Sequence, residues 1–367
     1  MGCKCMRKFK IGIIFIFLTK IIFAQTLLFI EPQDGRTPII NAINSAKSEI
    51  DLTMYELYDA AIESALSDAA NRGVSVNIIY SNNDNSYTIP SNTYLNHEKS
   101  FCDSNTLLKC IASSNKFFVT HEKTMLIDNS IAFIMSLNYV TYSDDQYFVN
   151  TRDFGIIDND APDVATLKNE FNTDWSNAVN STANFPNVVA NSNLFFSPSN
   201  PANNNDSLLT LTNLLSTATK TVDIYSEEFT NTGTVNSSQD IVTILNALAS
   251  KGVIVRIISQ EFEAKNLSSN IQVLKVPKNS SIYYHAKAII IDNQTAAIMS
   301  VNFSNASVFS NREAGVVVSG SIVNQIETQF NTDWQTLSAI FENQYYQSSV
   351  LNKISHSIDY LATQFLL

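Results

Sequence analysis

Residues 121–138 read HEKTMLIDNSIAFIMSLN, and residues 285–302 read HAKAIIIDNQTAAIMSVN. Both copies set His, Lys, Asp, Ser and Asn at the same offsets, with apolar residues in most of the gaps. Short apolar runs joined by a polar Asp-Asn pair read as two buried strands connected by a tight turn. Residues two apart on a strand share a face, so His121 and Lys123 point the same way, as do Ser136 and Asn138 on the return strand. Counted outward from Asn129, His121 falls opposite Leu137, and Asn293 centres the second copy in the same way. Such a hairpin gathers an imidazole, an ammonium, a hydroxyl and an amide at one end. That is an anion site with a nucleophile in it.

Outside the hairpins, further landmarks recur in the same order. NLFFSP (193–198) matches LLFIEP (27–32), and residues 221–225 match 50–55. KGVIVRIIS (251–259) matches RGVSVNIIY (72–80), NREAGVVV (311–318) matches TRDFGIID (151–158), and FNTDW occurs at 171–175 and 330–334. Shared order over this many landmarks is an internal duplication. In the first copy, periodicity predicts strands at 27–30, 50–55, 74–80, 117–119 and 154–157. One helix is expected after Thr37 as cap with Pro38 at its first position, and another carries Ile62, Ala65, Leu66 and Ala69 until Gly73 stops it. Residues 81–105 are polar and read as a long loop, and a final helix ends near FNTDW. The fold class expected is α/β, with two duplicated halves, each a mixed sheet flanked by helices and related by a pseudo-twofold. Residues 25–180 and 194–367 form the halves, joined by an Asn/Ser/Pro-rich linker from 176 to about 193.

The pattern HxK, four residues, Asp, six residues, a small residue, Ser, x, Asn resembles the signature of the phospholipase D superfamily. Both copies match it except at the small position, where Gly is usual and this chain has Met135 and Met299. Bulk there is expected to narrow the pocket or shift its backbone. The resemblance implies a phosphodiester site at the interface of the halves, working through a phosphohistidine. His121 is then the nucleophile and His285 the general acid, while Lys123, Lys287, Asn138 and Asn302 hold the phosphate oxygens, and Ser136 and Ser300 either serve as further phosphate contacts or close the hairpins. The motif also counts Asp128 and Asp292 in the catalytic set, although their place in the turn sets them at the far end of each hairpin.

A nucleophilic imidazole needs an acceptor on its other nitrogen to fix the tautomer. Asp153 and Glu313, each following an Arg in the matched segment, are the candidates, since superfamily members orient the histidine with an acid from this region. The plainer alternative is a surface Arg-acid pair at a strand start. His356, on an amphipathic C-terminal stretch, reads as a helix-surface residue. The sequence holds no His/Cys cluster with metal-ligand spacing, and the resemblance implies a reaction without metal or other cofactor.

The chain has 367 residues, 45 % of them hydrophobic, enough for two cores. Lys4, Arg7, Lys8 and Lys10 precede an apolar run at 11–18, and Ala24 precedes Gln25. This fits a signal peptide over residues 1–24 and an exported protein, an uncleaved anchor being the alternative. Cys3 and Cys5 would leave with it, so Cys102 and Cys110 are expected to pair as a disulfide, or else to remain as two buried thiols. The formal net charge of −11 loses the five positive charges of residues 1–24 on cleavage and becomes −16. Such a protein repels a polyanion at long range, which disfavours nucleic acid as partner. The function expected is therefore a monomeric, exported phospholipase D-type phosphodiesterase acting on phospholipid at a membrane or micelle surface. A nuclease, a cardiolipin synthase-like phosphatidyltransferase and a non-catalytic anionic-lipid binding module are the alternatives.

Overall fold

The first hairpin forms from strands Lys123–Ile127 and Ile131–Met135, and the second from Ala288–Ile291 and Thr295–Met299. Registers Ile127↔Ile131 and Ile291↔Thr295 centre them on Asn129 and Asn293. Both turns demand left-handed backbone: φ is 51° at Asp128, 50° at Asn129, and 53° at Asp292 and Asn293. Asp and Asn tolerate this region better than other side chains, which is why the polar pair sits where it does. The structure, a computed structural model, describes residues 26–83, 93–141, 147–200, 205–233, 240–278 and 280–341. The proposed leader, Cys3, Cys5 and His356 lie outside the described residues.

Each hairpin is the centre of a mixed sheet. The first sheet runs Thr26–Glu31, Thr151–Asp158, Ile131–Met135, Lys123–Ile127, Glu49–Met54, Ser75–Tyr80, Leu108–Ala112. The second repeats it as Leu194–Ser197, Glu313–Ser319, Thr295–Met299, Ala288–Ile291, Thr221–Phe229, Ile254–Phe262, Gln272–Lys275. In both, the last three strands are parallel to one another and all other pairs are antiparallel.

Strand alternation divides the apolar side chains between two faces. On one face of the first sheet, Leu52, Ile78 and Met125 pack with Ile39 and Ile43 of helix Thr37–Ser45 and with Ile62 and Leu66 of helix Ala60–Asn71. The second sheet is covered likewise by helices Ser207–Ser216 and Ile241–Ser250. The opposite faces meet each other: Leu126, Ile134, Phe154 and Ile156 share a core with Ala288, Ile290, Ile298 and Val316. The chain also crosses between halves. Strand Tyr283–Tyr284 pairs with Thr151–Asp158, setting Tyr284 beside Arg152, and a bridge from Thr120 to Arg312 mirrors it.

Met135 and Met299 do not narrow a pocket. Both are fully buried in the cores under the helices, and their register partners are Gly155 and Gly315. A Cβ on Gly155 would lie 2.0 Å from the Phe29 ring, and one on Gly315 would lie 2.3 Å from Phe195 and 2.7 Å from Met299 Cβ. A glycine stands across the ladder from each methionine, so the methionine fills core volume and the phenylalanine ring closes over the glycine.

Four local expectations are corrected. Residues 93–104, within the segment read as loop, form helix Thr93–Ser104, and the unanticipated edge strand Leu108–Ala112 follows it. That helix has a weak apolar stripe. Its hold comes from Phe101, from Glu98 accepting the Leu57 N–H at 2.8 Å, and from the Cys102–Cys110 disulfide. Residues 117–119 are not a strand, because their partners are the turn and bridge near Ser310 and Arg312. Thr37 is the first helical residue and not the cap, which falls to Arg36 without a side-chain bond. Helix Ala161–Asn180 runs through FNTDW and five residues beyond it.

Candidate active site

The matched Arg-acid segments, Thr151–Asp158 and Glu313–Ser319 with Arg312 before it, lie beside the hairpins where the two sheets meet. Adjacent strand residues face opposite ways, so each Arg and its acid serve different partners. Both reach into the other half. His121 Nδ1 lies 2.8 Å from Glu313 Oε2, and His285 Nδ1 lies 3.0 and 3.1 Å from the Asp153 oxygens. A carboxylate on Nδ1 fixes the tautomer and turns Nε2 toward the pocket. The acids are themselves held, Asp153 by the Ser136 hydroxyl at 2.6 Å and Glu313 by the Asn311 amide at 3.1 Å.

The arginines cross as well, and the repeated FNTDW explains where they go. Arg152 meets Asp333 at 2.7 Å, and Arg312 meets Asp174 at 2.7 Å and Glu170 at 3.0 Å. These are buried pairs, so the surface Arg-acid alternative is overturned. Glu122, Glu170 and Asp174 converge around Arg312. Burial pushes the Glu122 and Glu170 carboxyls up, against the opposing pull of the Arg312 guanidinium.

Lys123 and Lys287 are fully buried, each two residues along the chain from its motif histidine. Lys123 donates to the His121 carbonyl at 2.6 Å and sits 4.8 Å from the Tyr55 ring, whose edge meets the His121 imidazole at 4.7 Å. Burial, helped by the charge of Lys287, brings the Lys123 ammonium down to about 7. Burial and the two lysine charges hold His121 at about 4 against the pull of Glu313, so it is a neutral imidazole at pH 7. Among the described residues, His121 Nε2 has no hydrogen-bond partner, and its lone pair is available.

The second half differs. Glu227 Oε2 lies 2.7 Å from Lys287 Nζ and 3.4 Å from both His285 Nε2 and Asn302 Nδ2. Burial raises its carboxyl, but His285 and Lys287 outweigh this and hold it well below the usual range. Asn138 gives its amide to Glu56 at 2.8 Å. Glu227 and Glu56 were missed in the sequence. Strand registers Ile50↔Ile127 and Val222↔Ile291 align Tyr55 with Glu227 and Glu56 with Glu228, and the mismatch at Tyr55 was the available signal.

Six proposed catalytic residues, His121, Lys123, Asp153, His285, Lys287 and Glu313, thus come together with Asn138 and Asn302. Four proposed site residues do not play the expected part. Asp128 and Asp292 stay at the turns, where Asp128 accepts from the N–H groups of Lys47, Ser48 and Glu49, and Asp292 from those of Thr219, Lys220 and Thr221. These donors hold both carboxyls at about 2 even though desolvation opposes them. Ser136 and Ser300 turn into the protein. Ser136 bonds Asp153 and accepts the Phe154 N–H, and Ser300 bonds the Ala314 carbonyl and accepts its N–H.

The family model described as "Cardiolipin synthase, PLD-like domain" matches residues 39–175 and 211–334. No curated protein matches. Among solved structures, polyphosphate kinase from Porphyromonas gingivalis is similar with a TM-score of 0.61 at 15 % identity, over 85 % of this chain and 47 % of that one. The chain therefore spans about half the length of that kinase. Phosphatidylserine synthase from Haemophilus influenzae is similar with a TM-score of 0.60 at 14 % identity, covering 84 % of this chain and 85 % of that one. Nuc from Salmonella typhimurium, a phospholipase D family member, covers 42 % of this chain with 95 % of its own length at 20 % identity and a TM-score of 0.36. With the family model matched in both halves, and two histidine-lysine hairpins facing one another, this chain belongs to the phospholipase D superfamily as a duplicated, phospholipase D-like domain protein.

Proposed function

We propose that the protein is a phospholipase D-type phosphodiesterase that hydrolyses phospholipid head groups through a phosphohistidine. The observation that carries the reading is the open Nε2 of a neutral His121, opposite a His285 whose Nε2 already faces the pocket's polar groups. His121 Nε2 attacks phosphorus as the P–O bond to the head group breaks, and His285 Nε2 supplies the proton to the leaving alkoxide. Glu313 offsets the positive charge that forms on the phosphorylated imidazole. In the second step His285 takes a proton from water, the water oxygen bonds phosphorus, and the P–N bond breaks. Lys123, Lys287, Asn138 and Asn302 stabilise the equatorial oxygens throughout.

A lipid is favoured over nucleic acid by the acidic balance of the chain, −11 overall. Export is supported by the basic-then-apolar start and by the Cys102–Cys110 disulfide, and we place the enzyme outside the cytoplasm as a monomer working at a membrane or micelle surface. No described helix is long and apolar enough to cross a membrane. The description of the matching family favours a second reading, in which an alcohol replaces water in the second step. Head-group release from zwitterionic and anionic phospholipids in detergent, with DNA at equal phosphate and a His121→Ala control, tests the proposal. Lipid turnover lost in the control supports it, and faster DNA cleavage falling steeply with salt moves the activity to nucleic acid. Adding glycerol and phosphatidylglycerol separates transfer from hydrolysis by product.

A further inference from the structure

We propose that Glu227 is a specificity-determining residue, which occupies the second half's phosphate cradle in the resting protein and biases the site against dianionic phosphate. One carboxylate oxygen, Oε2, sits among Lys287 Nζ, His285 Nε2 and Asn302 Nδ2. Those are the groups the diester chemistry assigns to a phosphate oxygen, so the carboxylate stands where that oxygen would bind. The other oxygen accepts from the Tyr283 hydroxyl at 2.8 Å. The side chain is 21 % exposed and has solvent on one side, so an arriving phosphate can displace it outward.

A simpler account would have Glu227 merely neutralise a buried lysine. The first half argues against it. Lys123 is equally buried, yet among the described residues it makes no ion pair, and the strand position equivalent to Glu227 is Tyr55. The scaffold therefore keeps a buried lysine without a carboxylate at this position. In the first half the carboxylate comes one residue later, from Glu56, and holds the Asn138 amide in place of the lysine.

The consequence follows from charge. A phosphodiester carries one negative charge and can take over the hydrogen bonds that Glu227 releases. A phosphomonoester above its second ionisation, near 6, carries about two, and it is repelled more strongly by the displaced carboxylate, which the chain keeps beside the cradle. The monoester is the product of diester cleavage, and two lysines alone would retain it. Glu227 thereby favours product departure. This rests on the phosphodiesterase reading given above.

The test measures anion binding without turnover. Inorganic phosphate and dimethyl phosphate are titrated against the full chain at pH 8 by phosphorus NMR, in the native protein, Glu227→Gln and Glu227→Tyr, the last supplying the residue that the first half carries. Removing one charge at contact distance is expected to tighten inorganic phosphate binding by roughly tenfold or more, and dimethyl phosphate binding by less than about threefold. Melting curves identify which variants are folded. Equal tightening for both anions, or phosphate binding no tighter in a folded variant than in the native protein, overturns the proposal, and so does failure of phosphate to bind either folded variant at millimolar concentration. If the selectivity appears while no diester is hydrolysed, the phosphodiesterase reading fails and the cradle assignment stands.

Discussion

His121 and Glu313 are 192 residues apart in the chain and share a hydrogen bond of 2.8 Å between Nδ1 and Oε2. The second imidazole repeats the relationship in reverse, His285 of the second half resting on Asp153 of the first. Neither half holds a complete histidine–carboxylate pair. The paired arginines and FNTDW aspartates lock the same crossing from behind, so the candidate site and the interface between halves share the same two dipeptides, Arg152-Asp153 and Arg312-Glu313.

The unequal surroundings of the histidines give the first prediction. With an activated aryl phosphodiester, His285→Ala should still accumulate a phosphohistidine, because a good leaving group needs no proton, while His121→Ala should form none. Either substitution should lower turnover of an unactivated diester by roughly 10²–10⁴-fold. An acid-labile adduct mapped by mass spectrometry to His285 in the His121→Ala protein would reverse the roles.

The turn aspartates should prove structural. Asp128→Ala and Asp292→Ala each strand several N–H donors at a tight turn and should cost about 1–3 kcal/mol of stability. Their turnover at a temperature where the variants are folded should stay within about threefold of native. A hundredfold loss in either folded variant would return these residues to the reaction.

The arginines should be unequal. Arg312→Met leaves Glu122, Glu170 and Asp174 buried without their cation, whereas Arg152→Met leaves Asp333 with the Gln329 amide and the Tyr225 hydroxyl. Breaking a buried pair costs about 3–5 kcal/mol, and the Arg312 variant should lie at or beyond the upper end. Denaturant unfolding of the two proteins side by side decides it, equal losses counting against the acid cluster as drawn.

Glu31 should make stability fall with pH. Its side chain is fully buried beside Asp153, and desolvation first, then the Asp153 charge, push its carboxyl up to about 8 from 4.5. The folded state then keeps a proton that the unfolded chain releases, so the stability this group contributes is full below pH 4.5 and is lost progressively up to pH 8. Glu31→Gln should flatten that slope and melt higher than the native protein at pH 8. Parallel melting-temperature profiles for the two proteins between pH 5 and about 8 would contradict the buried, protonated carboxyl.

Much of this was legible in the sequence because duplication and strand periodicity are local properties. The hairpin registers follow from the spacing of His121, Asp128 and Ser136, and the left-handed turn from Asp128-Asn129. Alternation assigned Lys123 and His121 to one end of a strand before any partner was known. Helix Thr93–Ser104 escaped because its hold comes from a disulfide and a few buried contacts rather than from a periodic stripe. The bulk of Met135 could not be judged either, since the space it fills is made by Gly155 on a neighbouring strand.

What the sequence determined by itself was the set of candidate reacting groups and the two scaffolds that carry them, since these depend on residue type and on a period of two. What only the tertiary structure decided was the pairing between halves, Glu313 on His121 and Asp153 on His285, and the contact of Glu227 with Lys287 within the second half. Alternation along a strand says which face a side chain takes, but a carboxylate's partner is set by whatever the opposite surface brings within about 3 Å, and that distance exists only once the two sheets have packed.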